Sequence, residues 1–164
     1  MSFAPSAPLT LSDCLVAVAA FHRRIGAPVA AQPGLLPAVP AAAFSAAGRL
    51  RTLAADLAVA SNPADLLGNR LALALEELAE WVEAHVRQDL VAAADAAGRR
   101  LYVLLGDAVA TGLPLPAIFS EVHRSNLTKQ AGAVGGGTKG LKGADYAPPR
   151  LGPPLFFGAS AARP

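Results

Sequence analysis

Apolar positions recur along the chain with the spacing of helices. Residues three and four apart lie on one face of a helix, whereas strict alternation marks a strand. Five segments have helical spacing, near residues 13–25, 41–60, 63–88, 90–111 and 116–130. Alternating strand patterns are absent throughout the sequence. The pattern therefore predicts an all-α fold.

Residues that start and stop helices set the predicted boundaries. Ser12 is predicted to cap the first helix and Gly26 to end it. Asn62, followed by a proline suited to a first helical position, is predicted to cap the third. Asp89 is the predicted cap of the fourth, which Gly112 ends. Pro116 would begin the fifth.

The third helix carries the most informative pattern. Its predicted buried stripe steps by four, three and four residues, through Leu71, Leu75, Leu78 and Val82. An acidic ridge runs beside that stripe, formed by Glu76, Glu77, Glu80 and Glu83. Carboxylates one turn apart repel when exposed and are brought together by a divalent cation. The ridge alone equally describes a solvated glutamate face, and both interpretations stay open here.

Composition supports a helical protein and excludes several classes. Hydrophobic residues make up 53% of the chain and aromatics only 5%, and much of the apolar share is alanine, which favours helices. No apolar stretch approaches the roughly 18 residues of a membrane span, and the N-terminus lacks a signal-peptide pattern. We therefore expect a cytoplasmic protein with no membrane partner. Cys14 is the single cysteine, which excludes an intramolecular disulfide and a thiolate zinc cluster.

Charge and composition both change late in the chain. Residues 1–119 carry eight Lys/Arg and ten Asp/Glu, whereas residues 120–164 carry six and two, so the net charges are −2 and +4. Glycines and prolines from Gly132 onward disfavour helices. We predict a helical domain over 1–131 and an irregular basic segment over 132–164 that closes over the site or a partner subunit.

Two late segments could contact phosphate. Residues 121–129 read Glu-Val-His-Arg-Ser-Asn-Leu-Thr-Lys, and Arg124 and Lys129 are natural phosphate partners. Asn126 can donate to and accept from a base or ribose. Residues 139–143 read Lys-Gly-Leu-Lys-Gly, where glycines allow an anion to approach the backbone. A polar helix end and a basic tail are the structural alternatives.

The order of these pieces resembles the MazG-like proteins related to phosphoribosyl-ATP pyrophosphohydrolases, all-α nucleotide pyrophosphohydrolases. The resemblance covers about residues 15–150 and rests on five motifs in sequence: Phe-His-Arg-Arg-Ile-Gly at 21–26, Glu-Glu-x-x-Glu at 76–80, Leu-Tyr-Val-Leu-Leu-Gly at 101–106, Val-His-Arg-Ser-Asn-Leu-Thr-Lys at 122–129, and Lys-Gly-Leu-Lys-Gly at 139–143. It implies a four-helix-bundle core, an expected homodimer, and hydrolysis of a nucleoside polyphosphate to a shorter nucleotide and pyrophosphate.

The resemblance also implies roles for individual residues. Mg²⁺ or Mn²⁺ would be held by Glu77 and Glu80, with Glu76 as a further ligand or the base that activates water. The expected substrate contacts are His22, Arg99, Tyr102, Arg124, Asn126, Lys129, Lys139 and Lys142. A nucleic-acid partner is not expected.

The chain departs from the family at its second acidic pair. Where relatives place Glu-x-x-Asp, this sequence has Ala96 and Arg99. Arginine stays cationic at any working pH and cannot ligate Mg²⁺. Asp95, one turn before Arg99, could supply a metal carboxylate or pair with Arg99 as a surface bridge.

Two functional hypotheses follow from this departure. In the first, the glutamates hold one metal and Arg99 clamps a substrate phosphate in an active hydrolase. In the second, Arg99 occupies the place of the metal, and the chain binds nucleotides but hydrolyses them poorly. A helical structural protein without a nucleotide site is the third possibility.

Overall fold

The computed structural model describes residues 9–60, 62–132 and 139–156. Within these ranges the chain forms helices and one isolated antiparallel bridge, between Gln130 and Leu141, and it has no strand. The prediction of an all-α fold is confirmed. The helices are α1 (Leu11–Ile25), α2 (Pro40–Val59), α3 (Leu66–Val86), α4 (Leu90–Thr111), α5 (Leu115–Asn126) and α6 (Gly152–Phe156).

The chain divides into two compact units. The central unit, Gln32–Gly112, contains α2, α3 and α4, and α3 packs against both other helices. The terminal unit combines Met1–Ala31 with Leu113–Pro164, and in it α5 contacts α1 and α6. The domain boundary expected at residues 131 and 132 stays a prediction.

Local signals place α4 as predicted. The Asp89 side chain accepts a hydrogen bond from the Ala92 backbone N–H at 2.9 Å, which satisfies a donor that the first helical turn leaves free. At the other end Gly112 adopts φ 68°, a left-handed conformation that glycine takes without a steric penalty. Both boundaries of this helix therefore follow from two residues.

Two helix starts differ from the prediction. In α1 the cap is Thr10, because its hydroxyl accepts from the Asp13 N–H while the Asp13 carboxylate accepts from the Thr10 N–H. In α3 the cap is Asp65, whose carboxylate accepts from the Gly68 N–H at 2.8 Å. Asn62 instead closes a short turn by accepting from the Ala64 N–H.

Two predictions about the late chain also need correction. Helix α5 begins at Leu115 and ends at Asn126, whereas the prediction placed it over 116–130. The segment predicted as irregular contains the short helix α6, which has Pro153 and Pro154 near its start, where a missing N–H costs no intrahelical hydrogen bond. Residues 133–138, with three of the expected glycines, lie outside the described residues.

A three-residue turn connects α3 to α4. Arg87, Gln88 and Asp89 make up this turn, and Gln88 adopts φ 59°, a value that few residues other than glycine take. The Gln88 side-chain amide donates to the His85 carbonyl at 2.8 Å, and the Asp89 N–H donates to the Ala84 carbonyl at 2.9 Å. The turn therefore fixes where α4 starts relative to the end of α3.

The interior of the central unit is lined by alanine. Its buried apolar side chains are Ala47, Ala54, Ala72, Ala79, Ala84, Ala93 and Ala96. Small side chains let helix backbones approach closely. The predicted leucine stripe of α3 is correspondingly less buried than expected: Leu71 is 45% exposed, and the others are half-buried. Alanine contacts place these larger side chains at the flanks of the helix contact.

A network of hydrogen bonds joins α5 to the segment after it in the terminal unit. The Glu121 carboxylate accepts two hydrogen bonds from Arg124, at 2.8 and 2.9 Å, and one from the Arg150 N–H. These donors hold the pKa of Glu121 well below its usual range, at about 2. Arg124 also donates to the Pro148 carbonyl at 3.0 Å.

Within the described ranges, each helix taken singly is too short or too polar to cross a membrane. Helices α4 and α5 reach the required length and apolarity only as a pair interrupted by a break.

We predict that the close helix contact does not tolerate a larger side chain. Ala54 of α2 is 1% exposed, so Ala54→Leu must displace its neighbours and should lower the free energy of unfolding by about 1–3 kcal/mol. The matched control is Ala55→Leu at the next, exposed position, which should change stability by less than about 0.5 kcal/mol. Urea denaturation measures both. Equal losses for the two variants would contradict an alanine-packed interface.

We predict that Glu121 contributes stability that depends on pH. Because its folded-state pKa is lowered, the contribution is fully present above its ordinary pKa of 4.5 and is lost as pH falls through about 2. Glu121→Gln should melt below the parent protein at pH 6, and the gap should close towards pH 2. Thermal melts across that range measure it. A gap that does not change with pH would be inconsistent with this network.

Candidate active site

The candidate site is built on the α3 glutamates. Glu76, Glu77 and Glu80 lie on the second half of α3 and are all partly buried. Their positions follow from the helix, since residues three and four apart share a face. Ala79, in the middle of the motif, is fully buried, so the motif lies at the edge of the helix contact.

Arg51 of α2 is an unpredicted member of this cluster. Its guanidinium makes two hydrogen bonds to the Glu83 carboxylate, at 2.6 and 2.8 Å, and lies 4.0 Å from Glu80 Oε1. The hydrogen bonds from Arg51 lower the pKa of Glu83. Paired, parallel hydrogen bonds of this kind are the strongest arrangement between arginine and a carboxylate.

Arg99 of α4 contacts the cluster from the other neighbouring helix. One guanidinium nitrogen lies 2.9 Å from Asp95 Oδ2, which is the expected bridge along α4, and the other lies 3.8 Å from Glu80 Oε2. Arg99 and Asp95 side chains are 55% and 59% exposed, so this bridge contributes at most about 1 kcal/mol. Arg99 thus reaches the glutamate cluster through its contact with Glu80, and it can readily exchange this contact for another.

Glu77 carries an oxygen without a partner. Its Oε2 atom is buried and has no hydrogen bond, a situation that costs about 1–3 kcal/mol for a typical polar group. Burial raises the pKa of the Glu77 carboxyl, the nearby Glu80 charge raises it further, and Arg99 opposes both. An unsatisfied, partly desolvated carboxylate is suited to accept a cation or a proton.

The acidic side chains of the candidate site meet only part of what a divalent cation requires. Among the described residues no three His, Cys, Asp or Glu side chains form a group that could hold a metal ion. The predicted set of Glu77, Glu80 and Asp95 is not gathered into such a group, and the Arg99 guanidinium contacts both Asp95 and Glu80. Mg²⁺ nevertheless needs only one or two carboxylates when substrate phosphates complete its shell. Glu80 and the unpartnered Glu77 oxygen match that smaller requirement.

Three predicted site residues share one surface of α4. Asp95, Arg99 and Tyr102 line an open depression of about 450 Å³ together with Ala94 and Gly98. Tyr102 is 80% exposed, so its ring is available for contact with a ligand or another chain. Their spacing of four and three residues places them on one face of the helix.

The remaining predicted substrate contacts belong to the terminal unit, where several have structural partners. His22 Nδ1 lies 2.9 Å from the Pro28 carbonyl, and the Arg124 guanidinium holds Glu121 and Pro148. Asn126 is the last residue of α5 and is partly buried. Their roles towards a nucleotide stay predictions.

The bridge between Gln130 and Leu141 brings Lys129 next to the segment that carries Lys139 and Lys142. Lys129 is partly buried, and its carbonyl accepts from Arg24 at 3.2 Å. Lys139 is exposed and precedes the buried Gly140, where an added Cβ would lie 3.1 Å from the Lys129 side chain. Lys142 is exposed, with its ammonium 4.9 Å from the centre of the Tyr146 ring. These cations remain candidate phosphate contacts.

A known protein family matches the part of the chain that contains the central motifs. The family model of phosphoribosyl-ATP pyrophosphohydrolase matches residues 51–126, which begin at Arg51 and include the glutamate motif, Arg99 and Asn126. Lys129, Lys139 and Lys142 lie beyond the matched residues. No curated protein and no solved structure matches the chain.

The family match confirms the resemblance that the motifs indicated. Its members are pyrophosphohydrolases, and the family generally uses a divalent metal. Residues 51–126 are therefore similar to the phosphoribosyl-ATP pyrophosphohydrolase family, which is part of the MazG-like all-α pyrophosphohydrolase superfamily.

Proposed function

We propose that the chain hydrolyses a nucleoside polyphosphate to a shorter nucleotide and pyrophosphate in a Mg²⁺- or Mn²⁺-dependent reaction. The observation that carries this proposal is the family match across the glutamate motif, where Glu77 keeps a buried oxygen without a partner. Glu77 and Glu80 would hold the cation, which would neutralise phosphate charge and make bound water a better nucleophile.

The chain's own side chains have distinct proposed tasks. Glu76, one position before Glu77, is the candidate base that accepts a proton from the attacking water. Arg99 is the candidate clamp for a phosphate, since a guanidinium binds phosphate oxygens in pairs. Tyr102, which lines the same depression as Arg99, would border that phosphate, and Asp95 would remain the bridge partner of Arg99. Asn126 and the terminal-unit cations are proposed nucleotide contacts.

A catalytically impaired nucleotide-binding member of the same fold is the second candidate function. It is favoured by one observation: the Arg99 guanidinium lies 3.8 Å from Glu80, and no three described carboxylates form a group that could hold a metal ion. In that case the arginine replaces the metal permanently. Nucleotide would then bind equally well with Mg²⁺ and with a chelator.

A pyrophosphate-release assay tests hydrolysis. We expect release from at least one member of a nucleotide panel that includes phosphoribosyl-ATP, and its loss on chelation. Glu80→Gln should lower the rate about 100-fold or more, because metal stabilisation of the transition state is worth several kcal/mol. The control is Asp56→Asn, an exposed carboxylate of α2 with no proposed role. If no nucleotide is hydrolysed while calorimetry shows metal-independent binding, the impaired alternative holds.

We also propose that the protein acts as a homodimer. The central unit has three helices, whereas the resemblance implies a core of four. We propose that helices of a second copy complete that core. Large apolar side chains remain uncovered on α3 and α4, including Leu67 at 80% and Val109 at 83% exposure. A groove of about 510 Å³ runs between these helices, lined by Leu66, Leu67, Arg70, Leu71, Ala74, Asp107, Ala110 and Thr111.

Sedimentation equilibrium tests the dimer. The parent protein should sediment with twice the mass of one chain, and Leu67→Glu should weaken association at least tenfold because it places a charge in the apolar groove. Val59→Glu is the matched control, since Val59 is 90% exposed at the end of α2 and does not line the groove. A monomeric parent protein, or equal weakening by both variants, would rule out this interface.

A further inference from the structure

Two guanidinium groups from different helices reach one carboxylate of the central unit. Arg51 of α2 lies 4.0 Å from Glu80 Oε1, and Arg99 of α4 lies 3.8 Å from Glu80 Oε2. Each Glu80 oxygen therefore faces its own cation. In this state the protein's own cations partly compensate the charge of the carboxylate that is proposed to hold a metal ion.

The two arginines differ in how firmly they are held. Arg51 makes paired hydrogen bonds of 2.6 and 2.8 Å to Glu83, whose side chain is only 23% exposed. Arg99 has the single close contact to Asp95, and both of those side chains are more than half exposed. Exposed pairs of this kind are weak and exchangeable. Arg99 is therefore the cation that can leave Glu80 while Arg51 stays.

A nucleotide offers Arg99 a better partner. Phosphate groups accept paired, charge-assisted hydrogen bonds from guanidinium, which a lysine cannot reproduce. If Arg99 turns to a phosphate, Glu80 loses one of its counter-charges, and Glu77, three residues earlier on the same face of α3, already has an oxygen without a partner. Negative charge is then uncovered where the cation is proposed to bind.

We infer that Arg99 is an exchangeable counter-cation of Glu80: it weakens divalent-metal binding in the free chain, and it is drawn to substrate phosphate so that metal and nucleotide bind together. This inference rests on the proposed function for the identity of the metal ligands. Coupling of this kind is reciprocal, because the phosphate favours the metal as much as the metal favours the phosphate.

The experiment measures two affinities separately on the full chain, without turnover. Free Mn²⁺ is titrated by electron paramagnetic resonance in the absence of phosphate, and inorganic triphosphate is titrated by calorimetry in the presence of a chelator. Arg99→Gln should raise Mn²⁺ affinity about three- to tenfold, as expected from removing a positive charge a few ångströms from a ligand. It should lower triphosphate affinity by a similar factor.

Two further variants separate this role from a general charge effect. Arg87→Gln removes the same charge from a comparable exposed bridge, 3.7 Å from Glu83, and should change each affinity less than twofold. Arg99→Lys keeps the charge and should keep Mn²⁺ affinity within about twofold of the parent protein. Circular dichroism melts show whether each variant is folded.

The inference is overturned if Arg99→Gln changes neither affinity more than Arg87→Gln does, or changes only one of them. Opposite shifts in the two affinities support it. Because neither titration depends on hydrolysis, a protein that releases no pyrophosphate but shows opposite shifts contradicts the proposed function alone. A protein that releases pyrophosphate without these shifts contradicts this inference alone.

Discussion

Alanine side chains fill the contacts that α3 makes with α2 and α4, and the candidate site depends on this close approach. Seven alanines line the interior of the central unit, and Ala79 and Ala84 of α3 are completely buried. Because these side chains are short, residues at the edges of the contact can span from one helix to the next. Glu80 is consequently within ion-pair distance of both neighbouring helices.

Most ion pairs of the glutamate cluster join residues of different helices and not residues of the same helix. The glutamates come from α3, and the cations that face Glu80 come from α2 and α4, while Arg87 at the end of α3 adds a contact to Glu83. The site therefore requires the packed three-helix unit, and a separate α3 would present only repelling carboxylates. The same packing leaves Glu77 with one buried, unpaired oxygen, so the protein's own cations compensate the cluster incompletely.

The sequence predicted those features of the structure that depend on interactions between residues close together in the chain. Asp89 and Gly112 define the two ends of α4, and the glutamate motif lies within the residues that match the family model. Neighbouring cap residues were harder to separate, since Asn62 and Asp65 are both good caps and only Asp65 bonds into α3. The bridge from Asp95 to Arg99 was foreseeable because it lies within one helical turn.

Features that depend on tertiary contacts could not be predicted from the sequence. Arg51 lies 32 residues before Glu83, and no periodic pattern links positions on different helices. The buried alanines were missed because a hydrophobic stripe is identified from large side chains, which here remain partly exposed. Arg51 can be identified only once the fold is known, because it is then seen as a cation on the face of α2 that meets the acidic ridge.

The short turn between α3 and α4 has a consequence for how this protein can vary. Hydrogen bonds of Gln88 and Asp89 tie the start of α4 to the last turn of α3, and successive residues of α4 are rotated by about 100° around its axis. One residue inserted within the helix between Leu90 and Arg99 would therefore turn Arg99 to another side of α4 relative to the turn, even with every side chain kept. Length variation in the first turns of α4 is thus restricted by the chemistry of Arg99.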